Sequence, residues 1–350
     1  MGFLVKKMKK FDQNILNVIG NTPIIKLNSV ANSVESDIYV KLEYMNPGGS
    51  IKDRMGVYLC QKAVERGDLR PGGTIVESTS GNTGVGIALF SAIHGYKCVF
   101  VMADKQSQEK IDNLKAYGAK VLVCPTDVEP EDPRSYYSVA AKLGELPNSV
   151  FLDQYGNMDN GESHFEITGP EIYAQTKGDF DTLMAGIGTG GTISGCSRYL
   201  KSKMPSLKTV AVDCEGSILK EYHETGKIGQ AYSYAVEGIG EDFLPNNVIF
   251  DQIDSFVRVG DEESFHMTRR LLQEEGIYAG GSSGSAVVGA IRYAKSLSKP
   301  ERILVILPDS GNRYASKIYN EAWMKENEYI KTETAKDELD LEIDKILRND

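Results

Sequence analysis

The 350 residues exceed what one hydrophobic core comfortably organises, so two units are expected. A net charge of -10 offers no basic face to nucleic acid, and 41% hydrophobic with 25% charged residues is ordinary for a globular chain without a membrane span. Five scattered cysteines without CxxC spacing, and four histidines without ligand spacing, argue for reduced thiols in the cytoplasm and against a disulfide frame or a metal site.

The first residues, MGFLVKKMKK, hold too short an apolar run for a signal peptide. The first strand pattern is IYVKLEY (38–44), and the turn NPGGS (46–50) follows it. A helical spacing then runs from Lys52 through Met55, Tyr58 and Leu59 to Val64. A cation at a helix N-terminus is unfavourable by about 0.3–1 kcal/mol, so a lysine there reads as an amine rather than as a charge. TIVES (74–78) runs into STSGNTG, where Thr79, Ser80, Gly81, Asn82 and Thr83 precede an apolar helix. Five small polar residues exceed what capping needs and suit an anion of carboxylate size, although capping alone is the other reading.

Strands KCVFVMA (97–103), AKVLVCP (119–125) and SVFLDQY (149–155) come next, with the helical pattern QSQEKIDNLKAYGA between the first two. DTLMAGIG (181–188) leads into a GxGxxG of Gly186, Gly188 and Gly191 ahead of a helix, and KTVAVD (208–213) ends in Asp213. That pattern says a phosphate is held and leaves open whose; an NAD-dependent oxidoreductase with Asp213 on the ribose is one reading. The stretches 125–135 and 245–255 read as surface connections. SFVRVG (255–260), two helical patterns and RILVILPDSG (302–311) close the order, and PDSGNRY lies where open α/β sheets place ligands. From 326 onward the chain is acidic with a weak apolar stripe, which predicts a helical tail or linker. Alternating strands and helices predict an α/β fold with parallel sheet.

Two anion loops and a lysine, with no histidine near them in sequence, fit an aldehyde cofactor carrying a phosphate: pyridoxal 5'-phosphate. NPGGSIKDR, STSGNTG, GIGTGGTISG and LPDSGNRY, in this order, resemble the cysteine synthase and cystathionine β-synthase family of pyridoxal-phosphate enzymes from about residue 20 to Trp323. PNSVFLDQYGN, CEGSI, VEGIGEDFLP and AGGSSGSA resemble its cystathionine β-synthase branch more.

The resemblance implies fold type II, with two parallel-sheet α/β domains and the cofactor between them. A smaller mobile domain would span 45–158, and a larger one 10–44 with 159–325. Lys52 would be the Schiff-base lysine and would handle the α-proton. Asn82 would bond the ring oxygen, and Gly188, Thr189, Gly190, Gly191 and Thr192 would cradle the phosphate. Ser310 would face the pyridine nitrogen, although the sequence leaves open whether Asp309 does so instead. Thr79, Ser80, Gly81, Thr83, Gln154 and Tyr155 would line the donor site. Glu237 and Gly238 would border the acceptor's entrance, with Glu237 meeting an ammonium or helping to deprotonate a thiol. The implied reaction is β-replacement, joining serine or an activated serine such as O-acetylserine to homocysteine through an aminoacrylate. The alternative is cysteine synthesis from O-acetylserine and sulfide. Glu241 stands where animal relatives have a tyrosine, a departure that bears on donor and acceptor preference. A homodimer without a metal is the implied assembly.

Overall fold

The computed structural model describes residues 14–330 other than 105, 107, 126 and 129–131, together with 343 and 346. The basic N-terminal stretch and nearly all of the acidic tail lie outside the described residues.

Among the described residues ten strands form: β1 (Ile24–Lys26), β2 (Asp37–Leu42), β3 (Thr74–Ser78), β4 (Lys97–Ala103), β5 (Lys120–Cys124), β6 (Ser149–Phe151), β7 (Thr182–Gly186), β8 (Lys208–Cys214), β9 (Ser255–Val259) and β10 (Arg302–Leu307). They make a six-stranded sheet in the order β1-β2-β10-β7-β8-β9 and a four-stranded sheet in the order β5-β4-β3-β6. Every pairing is parallel except β1 with β2. All nine sequence-predicted strands form. β1 escaped prediction because it is three residues long and largely exposed, so no burial alternation marks it.

The run RILVIL shows why the sheet signal was strong. Ile303, Val305 and Leu307 face one buried cluster with Val40, Met184 and Val212. Leu304 and Ile306 face another with Leu183, Ile193 and Leu200. A parallel strand covered on both faces needs apolar residues at every position. The smaller sheet has its own core of Met55, Leu59, Ile75, Ile87, Phe100 and Leu114.

The segment 245–255 is not a surface connection. Asn247, Val248 and Ile253 are buried, and Asn247 Nδ2 donates to the carbonyls of Tyr155 at 3.0 Å and Asn157 at 3.1 Å. Its polar, Pro-containing composition hid a packing role beneath the GxGxxG turn.

A buried ion network fixes the start of the helix Lys52–Arg66. Arg54 is 1% exposed; its Nε donates to Glu43 Oε2 at 2.7 Å and its Nη1 to Glu171 Oε2 at 2.7 Å. Lys41 Nζ donates to Glu171 Oε1 at 2.7 Å. The lysine-bearing helix is thereby tied to the end of β2 and to the helix Gly169–Thr176.

Candidate active site

The carboxyl ends of β3, β7 and β10 open on one cleft of about 1120 Å³. Its walls include Lys52, Ser80, Asn82, Thr83, Gln154 and Tyr155. Gly188, Thr189, Gly190, Thr192, Glu237, Gly238, Glu241 and Asp309 also line it. Residues more than 250 positions apart in the chain thus share one space, at the place where open α/β sheets put ligands.

Lys52 is the first residue of its helix, and its backbone N–H donates to Ser50 Oγ at 3.2 Å. Burial pushes its amine down to about 8, against the opposing pull of Glu241 and Asp309. The position at a helix N-terminus acts in the same direction. A large fraction of Lys52 is therefore neutral and nucleophilic near pH 8. Burial likewise pushes Glu241 up, helped by Asp242 and opposed by Lys52, and Glu241 is hydrogen-bonded to Tyr155.

The turn after β7 is built for an anion. Gly190 caps the helix Gly191–Lys203 at φ 85° with no side-chain hydrogen bond to the cap, so the first backbone N–H groups of a 13-residue helix are left for a ligand. A Cβ on Gly190 would lie 2.8 Å from Val248 Cα, one on Gly188 2.9 Å from the Gly238 carbonyl, and one on Gly191 would strike Asn160. Protein packed against the loop therefore requires glycine at these positions. We therefore expect Gly190→Leu to strain the φ and push the loop off the 245–250 segment, weakening cofactor affinity by about tenfold or more. Equilibrium titration of stripped protein with pyridoxal phosphate measures this, and unchanged affinity would remove the loop from the phosphate site.

On the opposite wall, Thr79 and Thr83 serve different ends. Thr79 Oγ1 accepts from Gly81 N at 2.9 Å and Gly84 N at 3.4 Å, so its hydroxyl builds the turn. Thr83 Oγ1 donates to Gln154 Oε1 at 2.7 Å, and Gln154 Nε2 donates to the Ser78 carbonyl at 2.8 Å. The loop is pre-set, with Ser80, Asn82 and Thr83 on the cleft side. Gly81, at φ 128°, caps the helix Asn82–His94 without a side-chain bond, giving a second row of helix-start amides.

Asp309 and Ser310 of the PDS turn have different partners. Asp309 Oδ2 accepts from Asn82 Nδ2 at 2.9 Å and from the Tyr314 hydroxyl at 2.8 Å, and burial pushes its carboxyl up. Ser310 is 9% exposed, and its Oγ accepts from Asn312 N at 3.3 Å. Asn82 Oδ1 and Asp309 Oδ1 are buried with no protein partner among the described residues. Such orphaned polar atoms beside the lysine are costly unless a ligand meets them. Together with the two amide rows and the low-pKa lysine, they fit a polar aromatic cofactor bearing a phosphate.

Glu237 stands at the cleft mouth between Lys110 and Lys317. Lys317 Nζ donates to its Oε1 at 2.8 Å, and Lys110 Nζ pairs with its Oε2. Burial works to raise this carboxyl, but the two lysines hold it below its ordinary value. Sequence reasoning did not find Lys110, Lys317 or the aromatic wall of Tyr136, Tyr137 and Phe243, in which Tyr155 and Phe243 meet edge-on at 5.3 Å. These residues are dispersed and carry no local motif. Asp213 lies away from the cleft walls and accepts from Lys220 N at 3.0 Å, which accounts for it without a ribose.

A family model described as pyridoxal-phosphate dependent enzyme matches residues 15–309. The chain belongs to that family. It is 44% identical to cystathionine beta-synthase of Apis mellifera over 325 residues, covering 92% of this chain and 64% of that protein. The chain thus spans less than two thirds of the length of that relative. It is 41% identical to a cysteine synthase of Staphylococcus aureus over 304 residues, covering 87% of this chain and 95% of that one. Among solved structures, an O-acetylserine dependent cystathionine beta-synthase from Helicobacter pylori superposes with a TM-score of 0.81 at 36% identity, covering 89% of this chain and 100% of the other. The fold is therefore fold type II, and the family's cofactor is pyridoxal phosphate. Membership rejects the NAD reading of the GxGxxG turn. No helix among the described residues is long and apolar enough to cross a membrane.

Proposed function

We propose that this chain performs β-replacement, joining serine or an activated serine such as O-acetylserine to homocysteine and releasing cystathionine. The observation that supports the acceptor is the charged mouth of the cleft: Glu237 with Lys110 and Lys317. Sulfide needs only access, whereas an amino-acid thiol brings an ammonium and a carboxylate that are costly to leave unpaired in a closed cleft.

Pyridoxal phosphate, when bound, supplies an aldehyde and an electron-accepting ring that acidify the α-proton of an amino acid. We assign the amides of residues 188–192 to its phosphate, Lys52 to its aldehyde carbon, and Asn82 with Ser310 to its ring edge. The donor's carboxylate sits on the start of the helix Asn82–His94, against Ser80, Thr83 and Gln154, with Tyr155 closing the side. This anchoring aims the α-proton at Lys52, whose lowered basicity lets it accept and return a proton near neutral pH. Glu237 is held ionised by its lysines and is a poor base, so its role is to pair with the acceptor's ammonium rather than to deprotonate the thiol. The unit 45–158 is the mobile one, closing over the donor. We further assign the chain to the cytoplasm as a homodimer.

Crossing serine and O-acetylserine against homocysteine and sulfide, with product identification by mass, tests the reaction. Cystathionine as the favoured product is expected. Cysteine from sulfide with no cystathionine would make the chain a cysteine synthase.

A further inference from the structure

We propose that Lys110 and Lys317 form the recognition site for the carboxylate of the acceptor amino acid. This inference rests on the β-replacement reading and identifies what selects the second substrate.

The lysines come from different parts of the fold. Lys110 lies in the helix Gln108–Ala116, which follows β4 of the smaller sheet, whereas Lys317 and Glu237 belong to segments packed on the larger one. Glu237 and Lys317 line the cleft, and Lys110 reaches Glu237 from the smaller sheet's side, so the trio bridges the two units. Lys110 is 7% exposed; its Nζ lies 5.5 Å from the centroid of the Tyr314 ring and 3.4 Å from Gln106 Oε1. Burying a lysine strips its hydration, which needs compensating contacts. Glu237 alone is shared by the two ammonium groups, so within this trio one positive charge has no carboxylate of its own. An acceptor carboxylate supplies the missing anion, while its ammonium lies against Glu237. The cluster therefore complements a zwitterion in both signs, and sulfide carries neither group.

The mouth is also wired to the chemistry. Lys110 packs over Tyr314, whose hydroxyl donates to Asp309, which in turn receives Asn82 beside Lys52. An acceptor seated on the lysines stands at the entrance to the space where its thiol must react.

The test uses the cofactor-loaded protein with three acceptors: homocysteine, 3-aminopropanethiol, which is homocysteine without its carboxylate, and sulfide. The quantity read is kcat/KM for homocysteine divided by kcat/KM for 3-aminopropanethiol. In Lys317→Gln and in Lys110→Gln this ratio is expected to fall about tenfold or more, the scale of a lost charge-assisted contact. Calorimetric binding of cystathionine should weaken in parallel. An unchanged ratio overturns the proposal: equal losses for both thiols would make the lysines a closing device, and a rise confined to the donor's KM would assign them to the donor carboxylate. Lys317 sits on the rim at 29% side-chain exposure, so its variant keeps the test intact if Lys110→Gln disturbs closure. If the wild type makes no thioether from homocysteine with either donor, the β-replacement assignment fails instead, which is a distinct result.

Discussion

Lys52→Ala is expected to lower kcat by roughly 10²–10⁴-fold, the range for removing a positioned acid–base group. It should also abolish the visible absorbance of the bound cofactor. In the wild type, borohydride should fix a pyridoxyl group on a single peptide containing Lys52. Burial pushes this amine down to about 8 rather than its ordinary 10.5, against the pull of Glu241 and Asp309. Only the neutral amine attacks an aldehyde, so the rate of cofactor capture by stripped protein should climb through a midpoint near pH 8. A midpoint above pH 10, or label on another lysine, would remove Lys52 from this role.

Arg54→Ala is expected to cost about 3–5 kcal/mol of stability, because it takes from Glu43, whose side chain is fully buried, its partner at 2.7 Å and leaves it only Lys41 at 3.8 Å. That is a large share of the roughly 5–15 kcal/mol that typically holds a native protein. Urea midpoints at pH 7 for wild type and variant measure it. The penalty should shrink in acid. Burial works against ionised Glu171, but Arg54 and Lys41 hold its carboxyl down to about 2, against 4.5 in the unfolded chain. A depressed folded pKa contributes stability that is present above 4.5 and lost as pH falls toward about 2. Wild type and variant should therefore converge between these limits. A pH-independent gap would show that Arg54 stabilises through packing alone.

The elements were legible where burial is two-sided and local. RILVIL, KCVFVMA and DTLMAGIG read as strands because both faces of each are covered, whereas β1 at an exposed edge left no such mark. The anion loops were legible for a related reason, since a backbone that must present its amides needs small residues in an unbroken run. The requirement at Gly190 came from a partner the sequence did not reveal. Val248, 58 positions away, sits where a Cβ would go, and its segment had read as surface.

By itself the sequence determined the alternating α/β order, the lysine at the head of its helix, the two small-residue turns and the order of motifs that marks the family. Each element and motif in that order is a short-range property, fixed by residues within a few positions of one another. Only the tertiary structure decided what depends on distance in space. It closed two separate sheets around one cleft, set Asp309 against Asn82, and lowered the basicity of Lys52 by burying it. It also placed Glu237 between two lysines, which hold its carboxyl below its ordinary value against the effect of burial. A carboxylate's ionisation and a lysine's basicity are set by desolvation and by charges a few ångströms away, and those neighbours come from parts of the chain that only folding brings together.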